Sequence, residues 1–141
     1  MTDYNLEDQV GHLLRRANQR HKAIFSSLMP VKIPPTQFAA LALLRREGPL
    51  SQNLLGRMSA MDSATIAGVV SRLAARGWVK TAPSETDSRM TVVGLTDEGA
   101  DVVDSLIEPA REITSQTLAS VPAADRDEVL RLLRLLAADP D

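Results

Sequence analysis

Apolar residues recur at spacings of three and four along residues 5–29, where Leu6, Val10, Leu13, Leu14, Ala17, Ile24, Phe25 and Leu28 form one stripe. This spacing predicts an amphipathic helix over 5–29. Pro30 and then Pro34-Pro35 close it, because proline lacks an N–H donor and restricts the residue before it. A second helix is predicted from Thr36, a good N-cap, through Phe38, Leu41 and Leu44 to Glu47, with Gly48-Pro49 as its stop. Ser51 is placed to cap a short third helix, QNLLGRM, whose buried side would be Leu54, Leu55 and Met58. Asp62 is placed to cap a fourth, with an inward stripe of Ile66, Val69, Val70 and Leu73 and a stop at Gly77.

The texture then changes. The runs at 78–82 and 90–95 favour β structure and flank the polar stretch PSETDSR, which predicts a two-stranded hairpin with a long polar tip. Thr96 is placed to cap a helix running to about Ala119, with Asp97 and Glu98 where negative charge suits the helix dipole. Pro109 lies inside that helix and predicts a kink or a split. A last helix is expected over 123–138. The chain is thus mainly α with a small β-hairpin, and it shows no internal repeat or low-complexity segment.

With 141 residues, 44% of them apolar, the chain is long enough for one compact core. Its net charge of −2 argues against a nucleic-acid partner until it is divided along the sequence. Residues 1–35 carry +2, residues 36–95 carry +3, and residues 96–141 carry −7. The absence of cysteine excludes disulfides, iron–sulfur clusters and thiolate-bound zinc, and two histidines leave no histidine-rich metal site. No cofactor is implied. The N-terminus carries no secretory signal pattern, and no apolar run approaches the roughly 20 residues that span a bilayer, so a cytoplasmic protein without membrane contact is expected.

Two helices joined by a tight turn, then a hairpin, make a winged helix-turn-helix pattern. Such a module needs a second helix with a buried stripe and an opposite face of small and polar residues that can approach base edges. Residues 63–76 meet that need: Ser63, Ala64, Thr65, Ala67, Gly68, Ser71 and Arg72 fall on the outer side. Small side chains let a helix sink into a groove, and Arg72 can donate to guanine or phosphate. The same residues would also suit an ordinary core helix with a small-residue surface.

From Leu50 to Gly99 the sequence resembles the MarR family of bacterial transcription regulators. The resemblance lies in LSQNLLGRM, then MDSATIAGVVSRLAARGWV, then DSR at 87–89, and LTDEG at 95–99. It implies a winged helix-turn-helix DNA-binding lobe at 36–95 and a helical dimerisation region built from 1–35 and 96–141. Ser51, Gln52 and Asn53 would lie near phosphates, and Ser63, Thr65 and Arg72 would lead the DNA contacts, with Ala67, Gly68 and Ser71 on the same face. Arg89 would reach the minor groove or its phosphates, its guanidinium oriented by Asp87 through a charge-assisted bond. The chain departs from the family in a less basic wing: Thr81 and Ser88 stand where basic residues are frequent, and Gly68 stands where a larger residue is common. Weaker wing contacts and a shallower salt dependence are expected.

Residues 129–136 hold six large apolar side chains in eight positions, a stripe too wide for one packed face. Together with the stripe on 5–29 this predicts a homodimer, which would place two reading helices about 34 Å apart on a near-palindromic double-stranded operator. The resemblance further implies a small-molecule effector such as an aromatic carboxylate, bound between the dimerisation helices and the DNA-binding lobe. Arg15, Arg16, Arg20 and His21, with Phe38, are the candidate ligand residues. A solvated basic face is the plainer reading of those arginines.

No phosphate loop, nucleophile elbow or HExxH pattern occurs, so no enzyme is expected. A winged-helix module that binds protein instead of DNA is the alternative. With 3% aromatic residues there is no stacking platform for single strands.

Overall fold

The computed structural model describes residues 3–138. Within them the order is a 3₁₀ turn at Leu6–Asp8, then α1 (Val10–Leu28), α2 (Pro35–Glu47), β1 (Leu50–Ser51), α3 (Gln52–Met58) and α4 (Ser63–Ala75). There follow β2 (Val79–Pro83), β3 (Thr91–Leu95), α5 (Asp97–Thr117), a second 3₁₀ turn at Ala123–Asp125, and α6 (Arg126–Ala137). The chain divides into two compact units, one drawn from both ends of the sequence and one spanning Met29–Pro109. The sequence boundaries at 35/36 and 95/96 both fall inside the central unit, and the division lies within α5.

In the central unit, α2 packs on α4 and β3, and α3 on α4. Leu41, Leu55, Leu73 and Val93 form its fully buried centre; each such leucine contributes about 2 kcal/mol by burial. The sheet has three strands, in the order β1-β3-β2, all antiparallel. The expected hairpin is present, with Val79 opposite Leu95 and Pro83 opposite Thr91. The two-residue β1 is an addition to it, pairing Leu50 with Val93 and Ser51 with Val92. It is too short to leave an alternating pattern in the sequence.

Three of the expected helix starts are present, for reasons visible in their caps. The Leu54 N–H donates to Ser51 Oγ at 3.2 Å, the Thr65 N–H to Asp62 Oδ1 at 2.7 Å, and the Gly99 N–H to Thr96 Oγ1 at 3.0 Å. The expected cap at Thr36 is not used. Helix α2 starts one residue earlier with Pro35 at its first position, where a missing N–H costs nothing and the fixed φ suits the helix. Met58 is exposed instead of buried, and α3 instead turns Leu55 and Gly56 inward. Pro109 does not split α5, which runs unbroken from Asp97 to Thr117. Loss of one hydrogen bond is offset on both sides by the buried Leu106 and Ile113.

The terminal unit contains α1, α6 and the C-terminal part of α5. The expected helix over 5–29 is interrupted at Gln9, whose backbone is extended (φ −88°, ψ 137°). The last helix opens as a 3₁₀ turn before α6. Leu13 and Leu14 on α1 and Leu132, Leu133, Leu135 and Leu136 on α6 stay exposed, at 43–62% of their full area. Among the described residues no helix is long and apolar enough to cross a membrane, and no group of His, Asp and Glu could hold a metal ion.

Candidate nucleic-acid interface

Two left-handed turns fix α4. At its start, Ala60 adopts φ 57° while the Met61 N–H donates to Gly56 O at 2.8 Å and the Ala60 N–H to Arg57 O at 3.2 Å. This closes α3 in a Schellman arrangement and turns the chain sharply into Asp62. A Cβ on Gly56 would stand 3.1 Å from Ile66 Cγ2 and 3.1 Å from Met61 O, so glycine lets the two helices touch. At its end the pattern repeats: Gly77 has φ 79°, the Trp78 N–H donates to Leu73 O at 3.1 Å, and the Gly77 N–H to Ala74 O at 3.0 Å. The Arg76 guanidinium lies 3.8 Å over the Trp78 ring and donates to Gln37 Oε1 at 3.3 Å.

Between these turns α4 separates into two faces. Ile66, Val69, Val70 and Leu73 are buried, while Ser63, Ala64, Thr65, Ala67, Ser71 and Arg72 are exposed and Gly68 is half-buried. The outward set is the one read from the sequence. Donors from Thr65, the backbone N–H first and then the side chain, hold the Asp62 carboxyl below the usual carboxylate range. The cap is therefore a full negative charge at neutral pH, where it suits the helix dipole.

The wing tip is organised around Asp87. The Arg89 N–H donates to Asp87 Oδ1 at 3.0 Å, Arg89 Nε to the same oxygen at 3.2 Å, and Arg89 Nη2 to Oδ2 at 3.4 Å. The Arg89 side chain is nonetheless 89% exposed, held by one edge with the rest in solvent. Its guanidinium depresses the Asp87 pKa.

Arg89 lines a polar concavity of about 210 Å³ with Ser51, Gln52, Asn53, Met90 and Thr91. The first turn of α3 and the outer end of the wing thus form one surface. A second concavity, of about 360 Å³, is lined by Asn53, Arg57, Asp62 and Ser63 among others. Arg57, the one basic side chain of α3, sits in its last turn and lines this concavity, a placement that the capping pattern at the first turn does not signal.

Four of the candidate ligand residues lie on α1 and Phe38 lies on α2. Arg20 caps the C-terminus of α5, donating from Nη1 to Thr117 O at 2.9 Å and Ser120 Oγ at 3.3 Å, and from Nη2 to Gln116 O at 3.2 Å. His21 Nδ1 lies 2.9 Å from Thr117 Oγ1. Beside them the terminal unit holds an apolar pocket of about 320 Å³, walled by Leu14, Leu118, Leu130 and Leu133, with His21 and Thr117 supplying polar atoms. Arg15 and Arg16 are exposed on α1. Phe38 is half-buried on α2 of the central unit.

Comparison with known proteins gives a consistent result. Residues 32–90 match the model of the MarR family. The chain is 43% identical over 134 residues to the HTH-type transcriptional repressor NicR of Pseudomonas putida, covering 94% of this chain and 85% of that protein. It is similar to BpsR of Bordetella bronchiseptica, whose structure concerns regulation of its DNA binding by 6-hydroxynicotinic acid. The identity is 36% and the TM-score 0.93, over 99% of this chain and 100% of that one. The PcaV transcriptional regulator of Streptomyces coelicolor, solved with its natural ligand, is 31% identical with a TM-score of 0.91, covering 97% of both chains.

Proposed function

The chain belongs to the MarR family, and on that premise we propose that it is a sequence-specific, double-stranded-DNA-binding transcriptional repressor. It works as a homodimer in the cytoplasm and leaves its operator when a small aromatic carboxylate binds. The observation that carries this reading is the exposed outer face of α4 (Ser63, Thr65, Ala67, Ser71 and Arg72), whose first residue Ser63 shares a concavity with Asn53, while another concavity joins Ser51, Gln52 and Asn53 to Arg89. Recognition helix, supporting helix and wing then have distinct tasks: α4 reads base edges, the first turn of α3 holds phosphate, and Arg89 reaches the minor groove and its phosphates.

Homodimerisation is supported by the leucines of α6 left in solvent, which a second copy would cover. The regulator role rests on relatives that are regulators, and the effector class on two of them, one regulated by 6-hydroxynicotinic acid and one solved with its natural ligand. In this chain the apolar pocket with His21 has the character such a ring needs. Arg15, Arg16 and Arg20 on the same helix are the candidate cations for a carboxylate, Arg20 already donating to helix carbonyls.

Selection of bound sequences from random duplex DNA is the deciding experiment. A near-palindrome with half-sites about one helical turn apart supports both DNA recognition and the dimer. Failure to enrich any sequence would reject this function in favour of a protein-binding winged helix. Calorimetry with 6-hydroxynicotinic acid and a series of hydroxybenzoates tests the effector, and no heat from any of them would remove that part of the reading.

A further inference from the structure

Gly68 is the one glycine in the middle of α4, where glycine weakens a helix relative to alanine. At Gly56 and Gly99 of the same unit packing accounts for the choice, and at Gly48 and Gly77 a positive φ does. A Cβ on Gly56 would press on Ile66 and the Met61 carbonyl, and one on Gly99 would collide with the Trp78 carbonyl. At Gly68 no such demand exists. Apart from the adjoining helix backbone, a Cβ there would meet only Arg72 among the described residues, with Nη1 at 3.1 Å and Cζ at 3.9 Å. The guanidinium of Arg72 lies against the place that a side chain at position 68 would take, close enough that even a methyl group would displace it slightly.

Helix geometry explains how it gets there. Long side chains on a helix lean back toward its N-terminus, so residue 72 lies over position 68. Arg72 belongs to the last turn of α4, yet its charged head sits about one turn, roughly 5.4 Å, nearer the N-terminal end. That end is the part of a reading helix that faces base edges. A side chain on residue 68 would push the guanidinium aside.

We propose that Gly68 is a specificity-determining position that acts through Arg72: its bare backbone is the seat that aims the guanidinium at base edges. This rests on the DNA-recognition reading above. The contact is with the flexible end of an arginine, so filling the seat moves Arg72 without disturbing the core.

The test is a double-mutant cycle read by sequence selection and by competition binding against the selected operator. Wild type, Gly68→Ala, Gly68→Leu, Arg72→Ala and the two double variants are compared, with melting temperature as the fold control. Arg72→Ala should lose, by roughly tenfold, the preference at one base pair in each half-site. Gly68→Ala should weaken that same preference, and Gly68→Leu should abolish it. In the Arg72→Ala background neither change at 68 should alter it further. Gly68→Ala should melt at the wild-type temperature or above. The proposal is overturned if Gly68→Leu keeps the full preference at that base pair, or if substitutions at 68 act equally with and without Arg72, which would mean direct groove contact by the backbone. If wild type enriches no sequence at all, it is the DNA-recognition reading that fails, and this inference falls with it.

Discussion

Gly99 lies so close against Trp78 that a Cβ on it would stand 1.9 Å from the Trp78 carbonyl oxygen. The same carbonyl accepts the Thr96 N–H at 3.1 Å, and Thr96 Oγ1 donates to Gly77 O at 2.7 Å. The exit from α4, the root of the wing and the entry to α5 are therefore locked by one set of backbone contacts. Gly99→Ala must separate them. A loss of about 2–4 kcal/mol is expected in urea unfolding. An unchanged midpoint would show that this approach is not needed.

Stability should depend on acid in a defined direction. The carboxyls of Asp62, Asp87, Asp104 and Glu128 are all held below their ordinary pKa, chiefly by donors from Thr65, Arg89, Arg45 and Arg131 respectively. Groups shifted downward contribute stability that is complete above the ordinary carboxylate pKa and lost as pH falls through the lower folded values. The urea midpoint should stay level from pH 7 to about 5 and drop below about pH 4. Asp62→Asn should flatten part of that drop, because asparagine caps without titrating. A midpoint that does not fall in acid would count against these pairings.

For the wing, Arg89→Ala should weaken operator binding about tenfold and reduce the slope of log affinity against log salt by about 1. Asp87→Asn keeps the cation but loosens its orientation, so affinity should fall less and the salt slope should stay the same. Equal slopes for wild type and Arg89→Ala in graded-salt anisotropy would remove Arg89 from the phosphate contacts.

Leu135 and Leu136 are each 62% exposed on α6. A glutamate at either position puts a charge on a surface that a second copy would desolvate. Each variant should sediment as a monomer at micromolar concentration while keeping its helical circular dichroism. A dimer retained by both variants would place the interface elsewhere.

The features legible in the sequence were those governed by local chemistry. Ser51, Asp62 and Thr96 announce their helices because each side chain satisfies an N–H three residues on. The outer face of α4 was legible because its stripe follows the helical period. What could not be read depends on the rest of the chain. Strand β1 exists only because β3 offers it an edge. Pro109 stays inside α5 because burial on both sides outweighs one missing bond. Arg20 looked like a ligand clamp because nothing local shows that residues 116–120 bring their oxygens to it, nearly 100 positions away.

Ser51 belongs to two structures at once. Its backbone pairs with Val92 in the sheet, and its hydroxyl accepts the Leu54 N–H at the start of α3. When the edge strand peels away, the cap leaves with it. Local opening of the wing and fraying of α3 should then form a single cooperative event, with the Leu54 amide exchanging against deuterium at the same opening free energy as the β1–β3 amides. DNA that holds the wing closed would slow all of them together, including an amide it never touches.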